Sequence, residues 1–447
     1  MTSAVIADRI QFAFTIMFHY LFPIVTMGLA PFLATYAVLA ARTREQRYER
    51  ALHMWGRIFA INFAVGVVTG IPMEFQFGTN WAPFSARAGA VIGQPLAMEG
   101  IYAFFLESVF VGIFLYGRSA VPRFLYTLSI VMIWLGSWLS GFFIVATDAW
   151  MQHPVGYTIA ADGVIRLQSL AAVLLNAFAW WQFAHVLTGA VIAAAFILAG
   201  TGAFLLLSGR AENDARMYVR HGVIVACIFS VLAIFPTGDR NGADVTHDQP
   251  IKLAAMEGLF RSEYGAPLAI IGMPDTSRRT LIDPILVPKT LSFLAYGNFE
   301  ANVKGLDDYP RDLWPPVELT YYAYHVMVGL GTIFVAVAAL AAVLLWRRRL
   351  YESRWMLWIL MLSMPFPFIA NEAGWMVTEI GRQPWIVYGL MKTADAASPN
   401  VAAGETIFTT IGFAGMYFLL GVLWLFLVLR EIAEGPGAPA PAEESAR

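Results

Sequence analysis

Nine stretches of this chain run for about 20 residues or more with almost no charge: roughly 10–40, 56–78, 95–116, 124–149, 179–206, 218–236, 318–346, 355–379 and 405–430. A helix rises 1.5 Å per residue, so about 20 apolar residues cross the hydrocarbon core of a bilayer. In lipid every backbone N–H and C=O must be paired within the chain, and apolar runs of this length do so as helices. The expected fold is all-α, a polytopic transmembrane bundle of about nine helices. Composition agrees: 58% of residues are hydrophobic and 13% charged, where a soluble domain carries roughly 25% charged. The sixth run is the shortest. The eighth contains Pro365 and Pro367, which bundle helices tolerate when neighbours re-satisfy the freed carbonyls.

The arginines of the short connections set the expected orientation. One set of loops holds Arg42, Arg44, Arg47 and Arg50, then Arg118 and Arg123, then Arg210, Arg216 and Arg220, then Arg347, Arg348, Arg349 and Arg354; the alternate set holds only Arg87, Arg166, Arg382 and Lys392. The rich set is expected in the cytoplasm, which puts the N-terminus outside and the C-terminus inside. The expected organisation is helices one to six over 1–236, an outer loop over 237–317, helices seven to nine over 318–432, and a Pro/Ala-rich disordered tail over 433–447. The outer loop is long for a compact bundle, which points to function. Asp8 and Arg9 precede the first apolar run with no small-residue cleavage site nearby, so no cleaved signal peptide is expected. A single cysteine, Cys227, excludes an internal disulfide or a thiolate cluster. A net charge of −2 carries no nucleic-acid signal, and no nucleic-acid partner is expected.

Ionisable groups at membrane depth are costly and are functional candidates by default. This chain has His19 on the first helix, Glu74 on the second, Glu99 and Glu107 on the third, Asp148 ending the fourth and His185 opening the fifth. His325 and Met327 lie on the seventh, Glu372 and Glu379 on the eighth. With the orientation above, His19, Glu99, His185, His325 and Met327 fall within about 15 Å of the outer surface. Possible metal ligands from several helices thus share one layer. Each has an ordinary alternative: a membrane histidine is commonly a hydrogen-bonded packing residue, and a methionine is commonly core. Glu372 and Glu379 are about 20° from one face, either a ligand with its supporting group or two neutral acids. With no cysteine to spare, His and Met favour haem over a bare ion, because Met is a poor ligand for zinc or magnesium. The 14 Trp and 33 Phe suit a large flat cofactor.

Longer patterns narrow the reading. The strings QFAFTIMFHYLFP, GRIFAINFAVGVVTGIPMEFQFGTNW, PLAMEGIYAFFLES, KLAAMEG and EAGWMVTEIGRQPW resemble those of subunit I of the cytochrome bd family of quinol oxidases. They run from residue 11 to 385, nearly the whole chain. The resemblance implies a terminal respiratory oxidase in the bacterial cytoplasmic (inner) membrane that oxidises quinol outside, reduces O2 to water at a high-spin haem pair, and takes its protons from the cytoplasm. It implies His185 and Met327 as ligands of a low-spin haem b. It implies His19 and Glu379 as ligands at the high-spin pair, one a haem b and the other haem d or a further haem b. Which of the two residues serves which haem stays open. Trp375 is implied to pack among the haems, and Arg382 to meet a propionate, as a forked guanidinium suits a carboxylate.

The resemblance also makes 237–317 the quinol loop, with Lys252 and Glu257 of KLAAMEG at quinol oxidation, where Glu257 can accept a proton. Glu99, Glu107, Ser108, Ser140 and Asp148 fall on the implied proton path. Implied partners are subunit II, with a small single-helix subunit as a further candidate, and membrane lipid. Three features depart from the commoner pattern: Asp148 stands where Asn is usual, His325 where Arg is usual, and the quinol loop is short. Together they resemble the cyanide-insensitive branch. Two other readings remain open at this stage: a proton-coupled membrane transporter without haem, though no inverted repeat is visible, and a haem protein that only relays electrons.

Overall fold

A computed structural model of the chain describes residues 2–437; the expected tail from 438 onward lies outside them. Among the described residues nine helices are long and apolar enough to cross a membrane: α1 Ser3–Thr43, α2 Gln46–Thr79, α3 Ala82–Tyr116, α4 Arg123–Gln152, α5 Ala177–Leu207, α6 Glu212–Asp248, α7 Val317–Trp346, α8 Arg354–Gly381 and α9 Ala403–Glu434. The helical fold class expected from the sequence is what the chain adopts. Short antiparallel strand pairs occur only in the connections.

Several helices extend past their apolar runs. α3 begins at Ala82, not near 95, because Pro83 sits in its first turn, where a missing N–H costs nothing. α6 passes through a wide π-type turn at Ala233–Gly238, broken at Phe235 and Pro236, and continues to Asp248, past the expected boundary at 236. α9 runs to Glu434. Counted from these starts, His185 and Met327 lie eight and ten residues in, but His19 and Glu99 lie sixteen and seventeen in. Because α1 and α3 run 41 and 35 residues, longer than one span needs, these counts from a helix start do not measure depth below a common surface.

α1 and α5 are the most buried helices and α9 the least. The centre is packed through small residues, as expected where lipid offers no hydrophobic driving force between helices. A Cβ on Gly28 of α1 would lie 2.1 Å from the Ala190 carbonyl oxygen of α5, and one on Gly222 of α6 would lie 2.5 Å from that of Ala195. Both contacts are with backbone, which cannot step aside. Between α6 and α7 the chain forms a folded cap: a helix Pro250–Glu257, a hairpin of Leu268–Asp275 with Thr280–Val287, and a helix Thr290–Tyr296. It has its own small core of Ala254, Ala255, Phe260, Leu306 and Val317.

The close α1–α5 approach yields a test. Gly28→Ala should destabilise the protein by about 1–3 kcal/mol through overpacking, seen as a lower Tm in detergent. Gly331→Ala, where a Cβ meets nothing within 4 Å, should leave Tm unchanged.

Candidate functional site

The densest polar cluster joins α4, α5, α8 and the cap helix. Arg382, directly after α8 and 3% exposed, donates to Asp148 Oδ1 at 2.9 Å and to Glu379 one turn back. Asp148 Oδ2 accepts from Gln182 Nε2 of α5 at 2.6 Å. Lys252 reaches the same place from the cap. Its Nζ donates to the Thr378 carbonyl at 3.3 Å and to Gln152 Oε1 at 3.4 Å. Gln249 Nε2 donates to the Gln152 carbonyl at 2.7 Å and to its Oε1 at 2.9 Å. Two acids and two bases share this pocket, so a cluster that is costly to bury carries no formal net charge. Burial pushes the Lys252 pKa down to about 8, against the pull of Asp148.

Glu257 lies on the same short helix as Lys252 but serves a different place. It is buried, its Oε2 has no partner, and its carboxylate accepts from Tyr324 and the Ala269 backbone. Burial raises its pKa to about 8, partly offset by those bonds. His325 closes this pocket. Its ring nitrogens face the carbonyl oxygens of Tyr321 at 2.8 Å and Ala269 at 2.9 Å. A neutral ring has one N–H to give, so it bonds either its own preceding turn or, through Nε2, the hairpin that lies against α7.

His19 and His185 are arranged alike. Thr69 of α2 donates its only hydroxyl hydrogen to the carbonyls of Val65 and Gly66 at 2.9 and 3.0 Å. With its hydrogen spent there, its oxygen can accept from His19 Nδ1, 3.1 Å away. Thr237, in the wide turn of α6, can donate to the Leu232 carbonyl at 2.8 Å, and its oxygen lies 3.3 Å from His185 Nδ1. In each case a hydroxyl that spends its hydrogen on a backbone carbonyl can accept from Nδ1, the arrangement that leaves Nε2 the lone pair a metal needs. Met327 of α7 faces α8, its Sδ 3.0 Å from where a Gly374 Cβ would stand. Next along α8, Trp375 packs edge-on against Tyr20, with ring centroids 5.6 Å apart, and Glu372 has both carboxylate oxygens buried without a partner. Among the described residues no three His, Cys, Asp or Glu converge as they would around a bare ion. Single ligands beside glycine and aromatic walls fit a cofactor that brings its own equatorial donors.

The acids of α3 form a separate file. Pro95 lacks an N–H, and the helix widens into a π turn over Glu99–Phe104. Eight residues of plain α-helix would leave Glu99 and Glu107 about 80° apart. Instead both lean on one face of α4: Ser140 donates to Glu99 Oε1 at 2.7 Å, and Glu107 packs over Gly136, one turn away. Glu107 is buried with Oε1 unpartnered. Ser108 is half-buried beside it. Asp148, expected with this file, instead hydrogen-bonds into the Arg382 cluster. The amides of Gln152, Gln182 and Gln249 belong to that cluster but to none of the motifs; the one sequence signal was the i, i+4 spacing of Asp148 and Gln152 on a helix end.

A family model described as "Cytochrome bd terminal oxidase subunit I" matches residues 7–436. The chain is 39% identical to the cytochrome bd ubiquinol oxidase subunit 1 of Bacillus subtilis over 444 residues, covering 97% of this chain and 94% of the relative. It is 32% identical to the cytochrome bd-II ubiquinol oxidase subunit 1 of Escherichia coli, with 96% of each covered. Its fold superposes on the bd oxidase structure from Geobacillus thermodenitrificans with a TM-score of 0.90 at 31% identity, covering 97% of this chain and 99% of that one.

The Arg382 cluster makes a prediction. Asp148→Ala leaves a buried guanidinium one acceptor short and should cost about 3–5 kcal/mol. Asp148→Asn keeps an acceptor oxygen and should lower Tm by far less. Thermal denaturation of the two purified variants checks this.

Proposed function

The chain belongs to the cytochrome bd terminal oxidase subunit I family, and on that premise we propose which of its residues carry quinol oxidation, haem binding and proton supply. It is a multi-pass protein of the bacterial inner membrane and the haem-bearing subunit of a quinol:O2 oxidoreductase. The transporter reading has no support in these relationships. Bound haem supplies one-electron carriers and an iron position open to O2.

His185 and Met327 are assigned to a low-spin haem b; the Thr237 hydroxyl beside His185 Nδ1 and the position of the Met327 sulfur beside Gly374 support this. His19 and Glu379 are assigned to the high-spin pair, a haem b with haem d or a further haem b. Trp375 forms an aromatic wall beside them, and Arg382 Nε, buried and without a partner, is the donor left for a propionate. The working complex includes subunit II, with a small single-helix subunit as a further candidate, in a lipid bilayer. The arginine distribution supports an outside N-terminus, a cytoplasmic C-terminus and a cap on the outer face.

Two quinols give up four electrons, which with four protons from the cytoplasm turn one O2 into two waters, and the quinols release four protons of their own. Glu257 is the proton acceptor at the quinol, and the observation that carries this is its buried, unpartnered Oε2 under the hairpin. Lys252 takes part in the same reaction by holding the short helix that carries Glu257 against the Arg382 cluster. Glu107, Glu99, Ser108 and Ser140 hand protons along α3 and α4 from the cytoplasmic side. Quinol protons leave outside while the protons of water come from inside, so the reaction generates a proton motive force.

Glu257 accepts a proton only when ionised. Below pH 8 most of it is protonated, so quinol kcat/KM should climb with pH, pass half its maximum near 8, where burial has moved its pKa, and level off above that. Glu257→Gln should lower the rate by about 10²–10⁴ and abolish that inflection, while Glu257→Asp keeps a shifted one. Oxygen uptake against pH in the purified complex reads this. An unaltered profile in Glu257→Gln would remove Glu257 from the reaction.

A further inference from the structure

One cavity lies far from the cap, at the opposite ends of the helices. It measures about 610 Å³ and sits between the start of α2, the start of α6 and the segment after α7. Arg47, Arg50, Arg216 and Arg220 line it with Tyr48 and Tyr351. Their charge is incompletely answered. Arg50 grips the buried Asp214 through two bonds at 2.8 and 2.9 Å, and that pair is fixed. Arg47 meets Glu45 at 2.7 Å and Arg216 meets Glu212 at 2.6 Å. Both of those pairs are about half exposed on each side, and exposed pairs contribute little and exchange readily. Arg220 has no carboxylate partner among the described residues.

Four guanidinium groups thus face one cavity with three carboxylates, two of them easily displaced. Two of the arginines also lie over aromatic rings, Arg47 on Tyr48 at 4.8 Å and Arg216 on Tyr351 at 5.1 Å. The rings hold the guanidinium planes in place and give the cavity an apolar wall. Forked, oriented guanidinium groups match the tetrahedral oxygens of a phosphate and bind them more specifically than lysines would. A basic cavity among helix ends at headgroup level is also the arrangement that recognises anionic lipid.

We propose that this cavity is a phosphate-binding site, with Arg216 and Arg220 as the principal contacts and Arg47 as the third, and that it takes the phosphate of a lipid headgroup or a soluble phosphate. It shares no residue with the haem and quinol sites, so it stands whatever becomes of those assignments.

The assembled oxidase in detergent is the material for the test. Native mass spectrometry would count bound phosphatidylglycerol against phosphatidylcholine in the wild type, in Arg216→Gln/Arg220→Gln, in Arg220→Lys, and in Arg430→Gln, which lies outside the cavity. A lipid site predicts about a fivefold or greater preference for phosphatidylglycerol, loss of one bound lipid in the double variant, and retention in the other two. A soluble-phosphate site predicts no such lipid difference, but a rise in Tm with inorganic phosphate in the wild type that the double variant lacks. Equal lipid counts together with no phosphate-dependent Tm difference would overturn the proposal. If the double variant does not assemble, the wild type alone still decides. A wild type that shows no preference for phosphatidylglycerol and no phosphate-dependent Tm would refute the site.

Discussion

Arg382 is the side chain on which the functional half of this molecule turns. A guanidinium that is 3% exposed must be paired, and here it is paired twice, to Asp148 of α4 and to Glu379 of its own helix. Asp148 carries the link to α5 through Gln182, and Lys252 carries it to the cap through the Thr378 carbonyl and Gln152. Four elements far apart in sequence are thus fixed around one neutral group of charges. His185 lies one turn from Gln182, and Trp375 one turn from Glu379. The positions of two of the proposed haem ligands, His185 and Glu379, are therefore tied to this cluster.

Local helix irregularities provide the other constraint. The π turn at Glu99–Phe104 brings Glu99 and Glu107 onto one face of α4. The wide turn at Ala233–Gly238 places Thr237 against His185. In both places a proline weakens the regular hydrogen-bond ladder, Pro95 before the first and Pro236 within the second. The irregular turns position the polar groups, and the regular helices around them, packed through contacts such as Gly28 on Ala190, keep the turns from relaxing.

Much of this was legible in the sequence. Apolar runs located all nine helices because lipid leaves the backbone no other option. The runs did not locate the helix ends, since residues such as those at 82–94 are helical but not continuously apolar, and Pro236 looked like a terminus when it is a kink. The motifs marked Lys252, Glu257, Asp148 and Arg382 without their pairing. Asp148 meets Arg382 across 234 residues, a relation no local spacing encodes. His325 shows the converse: its type and depth suggested a ligand, and only the two carbonyls beside its ring reveal a structural tie.

The central claim is that His185 and Met327 hold a low-spin haem while His19 and Glu379 serve separate high-spin sites. Dithionite-reduced minus oxidised spectra of the purified complex, recorded with and without carbon monoxide, test it most directly in the wild type and in His185→Ala. The account predicts that the variant loses the low-spin b signal and keeps a carbon monoxide-sensitive high-spin signal. A His185→Ala complex with its low-spin signal intact would contradict it.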